Sequence, residues 1–126
     1  MARNVFGVVA GLVAWLIVTS VAGLVLRVSW PAYVRVADAM AFTLPMMAAR
    51  LAIGAVATVA AGAVSARIAR SSIAGLAPGL LLLLFFIPVH VSLWEKFPVW
   101  YHLTFLLSLV PLTYAGSRLV DRPALA

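Results

Sequence analysis

The sequence predicts an all-α integral membrane protein, an antiparallel bundle of four transmembrane helices, and three observations predict it. The 126 residues are 66% hydrophobic and only 10% charged. The apolar residues fall into four continuous runs, and the connections between those runs are short. A mean hydropathy of +1.17 leaves too little polar surface to cover a globule in water. The length, less its connections, holds about four spans of roughly 20 residues, so residues 1–126 are expected to form one transmembrane domain with no separate soluble part. Strands are excluded because a membrane barrel alternates apolar and polar residues in roughly ten-residue segments.

The first span is expected over residues 5–26, an uncharged run behind the basic start Met1-Ala2-Arg3-Asn4. Ser20-Val21-Ala22 offers the small residues a signal peptidase accepts, but the apolar run continues to Leu26 and is too long for an ordinary signal core. Residues 27–40 mix Arg27, Trp30-Pro31, Tyr33, Arg35 and Asp38 with apolar positions, the pattern of an interfacial loop or a short surface helix. The second span is expected over 41–66, with Pro45 near its start, where a missing backbone donor costs least. A short basic connection forces the third span, 73–94, to run antiparallel beside it. Pro88 lies deep in that span and is expected to bend it by freeing the carbonyl of Leu84. Glu95-Lys96-Phe97-Pro98 turns the chain into the fourth span, 100–117, where Pro111 is a second bend point, and 118–126 reads as a basic tail.

Nine basic residues against three acidic give a net charge of +6. In a soluble protein this balance would point to nucleic acid. Here the cations flank apolar segments, so anionic lipid headgroups are the expected partner and nucleic acid is not. Arg3, Arg67, Arg70, Arg118 and Arg122 all fall at the terminal side, and Arg27, Arg35 and Lys96 at the other. The excess places both termini in the cytoplasm and the chain in the cell (inner) membrane, crossing it several times. No cysteine is present, which removes disulfides and thiolate metal sites.

With four antiparallel spans, the residues able to do chemistry gather at the end away from the termini. Trp30, Tyr33, Trp94, Trp100 and Tyr101 read there as interface anchors. Arg50 is the costly residue, since a cation at the centre of a span carries about 2.5–3.5 kcal/mol. It shares a helical face with Gly54, Ala57, Ala61 and Ser65 and should point into the bundle. Three fates are open to it: reaching out to lipid phosphate, pairing with Glu95, or binding an anionic ligand. His90 and His102 lie near the same end and are a candidate proton or ligand site, with haem or metal binding a third-ranked use. The ordinary expectation is that His90 bonds backbone freed by Pro88 and that His102 meets water at a helix start.

Small residues recur at four-residue spacing: Gly7 and Gly11; Gly54, Thr58 and Gly62; Gly75 and Gly79. Such residues let membrane helices approach closely, within the chain or between chains. Length and span number compare with small multidrug resistance transporters and dual-topology fluoride channels, but the first span lacks the acid of the former and the chain lacks the pore signature of the latter. No phosphate loop, Gly-x-Ser-x-Gly, His-Glu-x-x-His or intramembrane pair of acids occurs. The leading expectation is therefore a non-enzymatic accessory subunit or homo-oligomer acting through helix association, without a cofactor. The alternative is a small transporter or channel with a vestibule at Arg50, Glu95 and His90.

Overall fold

The computed structural model describes residues 1–120. Its helices are α1 (Ala2–Ser29), α2 (Pro31–Ala37), α3 (Leu44–Ala69), α4 (Ala77–Ser92) and α5 (Val99–Val120), with single 3-10 turns at Ala74–Leu76 and Trp94–Lys96. Among the described residues there is no strand. Four helical stretches, all but α2, are long and apolar enough to cross a membrane, as expected for segments whose backbone must bond within itself in lipid. The first span is longer than expected at both ends, and the fourth continues through Arg118 to Val120, past its expected end at residue 117. Arg122 lies outside the described residues.

Prolines set several helix starts. Pro31 opens α2, and Pro45 and Pro78 sit in the first two positions of α3 and α4, where their missing N–H is unsatisfied anyway. α4 and α5 run unbroken through Pro88 and Pro111. α3 stops at Arg70, which takes a left-handed conformation at φ 56° while Ser71 N–H donates back to the Ala66 carbonyl.

α3 is the central helix, packed between α1 and α5, with α4 against α5. The glycines allow this. A Cβ on Gly7 would lie 2.8 Å from the Ser65 carbonyl, and one on Gly11 would lie 2.7 Å from that of Ala61. On the other side of α3, a Cβ on Gly62 would strike the Thr113 carbonyl, and one on Gly116 the Val59 carbonyl. Gly75 and Gly79 press on Ser117 and Thr113 in the same way. The face of α3 expected to point inward is buried at Gly54, Ala57, Ala61 and Ser65, while Val56 is exposed to the lipid side.

Trp15, in the middle of α1, anchors the main core with Ala57, Ala61, Leu82 and Leu109. Its Nε1–H donates to Thr58 Oγ1 at 3.2 Å, and the Thr58 hydroxyl donates to the Gly54 carbonyl at 2.6 Å. A second, smaller core at the end away from the termini holds Tyr33, Ala37 and Met46. It forms because α2 folds back onto the bundle.

Gly62→Val and Gly116→Val should each lower the unfolding free energy by about 1–3 kcal/mol or more, since backbone cannot yield as a side chain can. Gly23, whose Cβ would meet nothing within 4 Å, should accept Ala without loss. Denaturant titration of the three variants in one detergent checks the contrast.

Candidate functional site

The end away from the termini is built around Arg50, two turns into α3. Its Nη1–H donates to Tyr33 Oη at 2.7 Å and its Nε–H to Tyr101 Oη at 3.2 Å. Its Cζ lies 4.6 Å from the centre of the Phe42 ring and 5.9 Å from that of Phe97. The rings support one another: Tyr33 stacks on Phe42 at 5.0 Å, Phe42 on Phe97 at 5.9 Å, and Phe97 on Tyr101 at 4.4 Å. Each cation–π contact is worth about 0.5–2 kcal/mol, more as water is excluded. Together with the phenol oxygens they offset part of the cost of holding the guanidinium inside the bundle.

Of the fates open to Arg50, the candidate ion pair with Glu95 is corrected. Glu95 is exposed on the turn Trp94–Lys96, and the phenols of α2 and α5 reach Arg50 instead. The anchor reading is corrected for two of its five residues as well. Tyr33 and Tyr101 are only 4% and 5% exposed and point inward to the guanidinium, whereas Trp94 and Trp100 remain on the surface. Trp30 is half-buried and packs on the Tyr33 core.

His90 and His102 form a second unit. Their Nδ1 atoms are 2.7 Å apart, and His102 Nε2 lies 3.1 Å from the Trp94 carbonyl. His102 is fully buried beneath the Trp94 ring, stacked at 4.6 Å, so it does not meet water at the helix start. His90 stacks on Phe105 at 4.8 Å and bonds its neighbour, not backbone below Pro88. The two Nδ1 atoms are engaged with each other and His102 Nε2 with a carbonyl, which leaves His90 Nε2 as the ring nitrogen of the pair with no hydrogen-bond partner among the described residues. Among the described residues no group of three His, Cys, Asp or Glu side chains could hold a metal.

A carbonyl can only accept, so His102 Nε2 must carry its hydrogen. With both rings neutral, His102 Nδ1 is then an acceptor and His90 Nδ1–H the donor. His90 Nε2 is thereby left with a lone pair and no hydrogen-bond partner among the described residues, and since no enclosed side-chain nitrogen or oxygen lacks a partner there, this atom is accessible.

Arg50, Tyr33, Tyr101 and His90 line one cavity of about 220 Å³. Thr19, Gly23 and Leu26 of α1 form one wall, and Val89 of α4 with Leu93 just after it another. Nearer the termini these helices meet, at Gly11 against Pro78 and at Trp15 against Phe86, 5.3 Å between rings. Beyond Trp15 they part, and the cavity fills the gap. Its floor is shut by Trp15, Phe86 and Phe105, with Leu82 and Leu109 beneath. Glu95 is not among its lining residues.

The cavity is rich in donors. A guanidinium carries five N–H groups, of which two are used within the protein, and each phenol that accepts from Arg50 still has an O–H to give. No acid among the described residues pairs with Arg50. One positive charge surrounded by donors is matched by an oxyanion.

At the opposite end Arg3, Arg67, Arg70 and Arg118 are all exposed, the position expected of headgroup contacts. The apolar rings of the site, Trp15, Phe42, Phe86, Phe97 and Phe105, escaped the sequence reading. Trp15 sits too far inside an apolar run for a headgroup anchor, and its N–H needs a buried partner, which was a usable signal. Phe42 carries no such signal, because only the fold-back of α2 brings it to Arg50. No protein-family model matches the chain, and neither does any curated protein or solved structure.

Arg50→Leu should change the unfolding free energy by no more than about 1 kcal/mol, because relief from burying a charge offsets the hydrogen bonds and ring packing that the guanidinium makes. A loss above about 2 kcal/mol in the same denaturant titration would assign Arg50 to stability and not to ligand binding.

Proposed function

We propose that this protein is a non-enzymatic membrane protein that binds the anionic head of an amphiphile taken from the bilayer, with Arg50 as the charge-bearing contact. The observation that carries this reading is the cavity itself. It places a guanidinium and two phenols around space that has no acid on its walls. Between α1 and α4 the space is lined by Gly23 and Val89, which belong to two helices long and apolar enough to cross a membrane. The space measures about 220 Å³. That suits a headgroup, and the acyl chains stay outside against the exposed residues Leu24, Val25 and Val91.

Action as a channel has less support, since the floor of the vestibule is a packed aromatic layer. Assembly with a second copy or a larger complex loses the argument from small-residue faces, because those glycines are consumed within the chain. The arginine distribution supports termini in the cytoplasm, which puts the cavity in the outer half of the cell membrane.

Binding is measured by native mass spectrometry of protein mixed with anionic and zwitterionic lipids of equal chain length. Wild type should retain the anionic lipid preferentially. Arg50→Gln should weaken that retention about 10- to 100-fold, the worth of a charge-assisted hydrogen bond, and Gly23→Phe should do so by filling the gap between α1 and α4. Equal retention by wild type and Arg50→Gln would sink the proposal.

A further inference from the structure

We infer that the cavity selects, among anionic headgroups, a phosphate ester that carries a hydroxyl donor, and that His90 is the residue that reads the hydroxyl. The inference rests on the reading of the cavity as an anion site and adds its chemical class. Arg50, Tyr33 and Tyr101 present donors. His90 is the exception on the same wall system, because the bond from His102 to the Trp94 carbonyl holds the His90–His102 pair in one tautomeric arrangement when both rings are neutral. His90 lines the cavity, and the scheme assigns its accessible Nε2 lone pair as the imidazole acceptor there.

An ionised carboxylate offers only acceptors and would leave that lone pair unmatched. A phosphodiester with a small alcohol on its far side offers both: unesterified oxygens for the guanidinium and phenols, and an O–H for His90. Its size suits the cavity of about 220 Å³. His102 is a positioning residue in this scheme. Buried beneath Trp94, it sets which nitrogen of His90 carries the hydrogen and does not itself line the cavity.

The test compares phosphatidylglycerol with phosphatidylmethanol, which carry the same single charge and the same chains but differ in the headgroup hydroxyls. Retention by the purified full-length protein at pH 7.4 is read by native mass spectrometry. Wild type should prefer phosphatidylglycerol by about tenfold, the equivalent of one neutral hydrogen bond. His90→Asn keeps an amide donor where Nδ1–H meets His102 but has nothing in place of Nε2, and it should bind both lipids equally. His90→Gln, whose carbonyl reaches toward the Nε2 position, should restore part of the preference. Equal binding of the two lipids by wild type, or an unchanged preference in His90→Asn, would overturn the inference while leaving the Arg50-dependent anion site intact. Loss of lipid selectivity together with no effect of Arg50→Gln would remove both. Displacement of bound phosphatidylglycerol by millimolar glycerol phosphate, with the same His90 dependence, would retain the hydroxyl-bearing phosphate ester but move its source from the membrane to solution.

Discussion

Backbone-to-backbone contact between α3 and its two neighbours governs this molecule. In lipid, moving an apolar side chain from solvent to a helix interface gains little, so association depends on dispersion between closely fitted surfaces and on a few hydrogen bonds. Gly7 and Gly11 bring α1 onto the Ser65–Ala61 face of α3, and Gly62 and Gly116 bring α5 onto the opposite face. All four contacts lie toward the end that carries the termini. The Trp15–Thr58 hydrogen bond closes the series. Past it, α1 has no further close glycine contact, since Gly23 meets nothing, and the helices separate around the cavity.

The tight half therefore creates the loose half. Helices locked at one end by glycine contacts and spaced at the other by Tyr101, Phe105 and Phe86 leave a gap that α2 partly covers. Arg50 lies where the low-polarity interior meets that gap. Its charge is spread over phenol oxygens and aromatic faces and not cancelled by a carboxylate, so a net positive charge remains available to a ligand. In the histidine pair beside it three of the four ring nitrogens are hydrogen-bonded, and the direction of the bond between the rings is imposed by a backbone carbonyl.

Much of this was legible in the residues, for reasons that differ from one position to the next. The inward face of α3 followed from the helical period, since Gly54, Ala57, Ala61 and Ser65 are the residues that let a neighbour approach. Arg50 was recognisable as a site residue because a cation in a span needs a reason. Its partners were not recognisable. A tyrosine at a span end reads the same whether its hydroxyl meets headgroups or a guanidinium, and Tyr33 reaches Arg50 only because α2 returns over the bundle. Glu95 was the plausible partner by charge, yet the 3-10 turn after α4 keeps it on the surface. His90 and His102 were correctly placed near one another, but whether they would face a metal, water or each other depended on side-chain directions that spacing does not fix.

The amino-acid sequence by itself determined the number of spans, their antiparallel order, the polarised distribution of arginines and the end at which Arg50, the histidines and most of the aromatic residues gather, because each follows from hydrophobic length, short connections and the position of residues along a span. Only the tertiary structure decided that Arg50 is held by Tyr33 and Tyr101, that the histidines bond each other, and that α1 and α4 part around a donor-lined cavity. The physical reason is range. Solvation acts on each segment wherever it sits, whereas a hydrogen bond or a ring stack exists only within a few ångströms, and those distances are set by how closely the glycines let three helices meet.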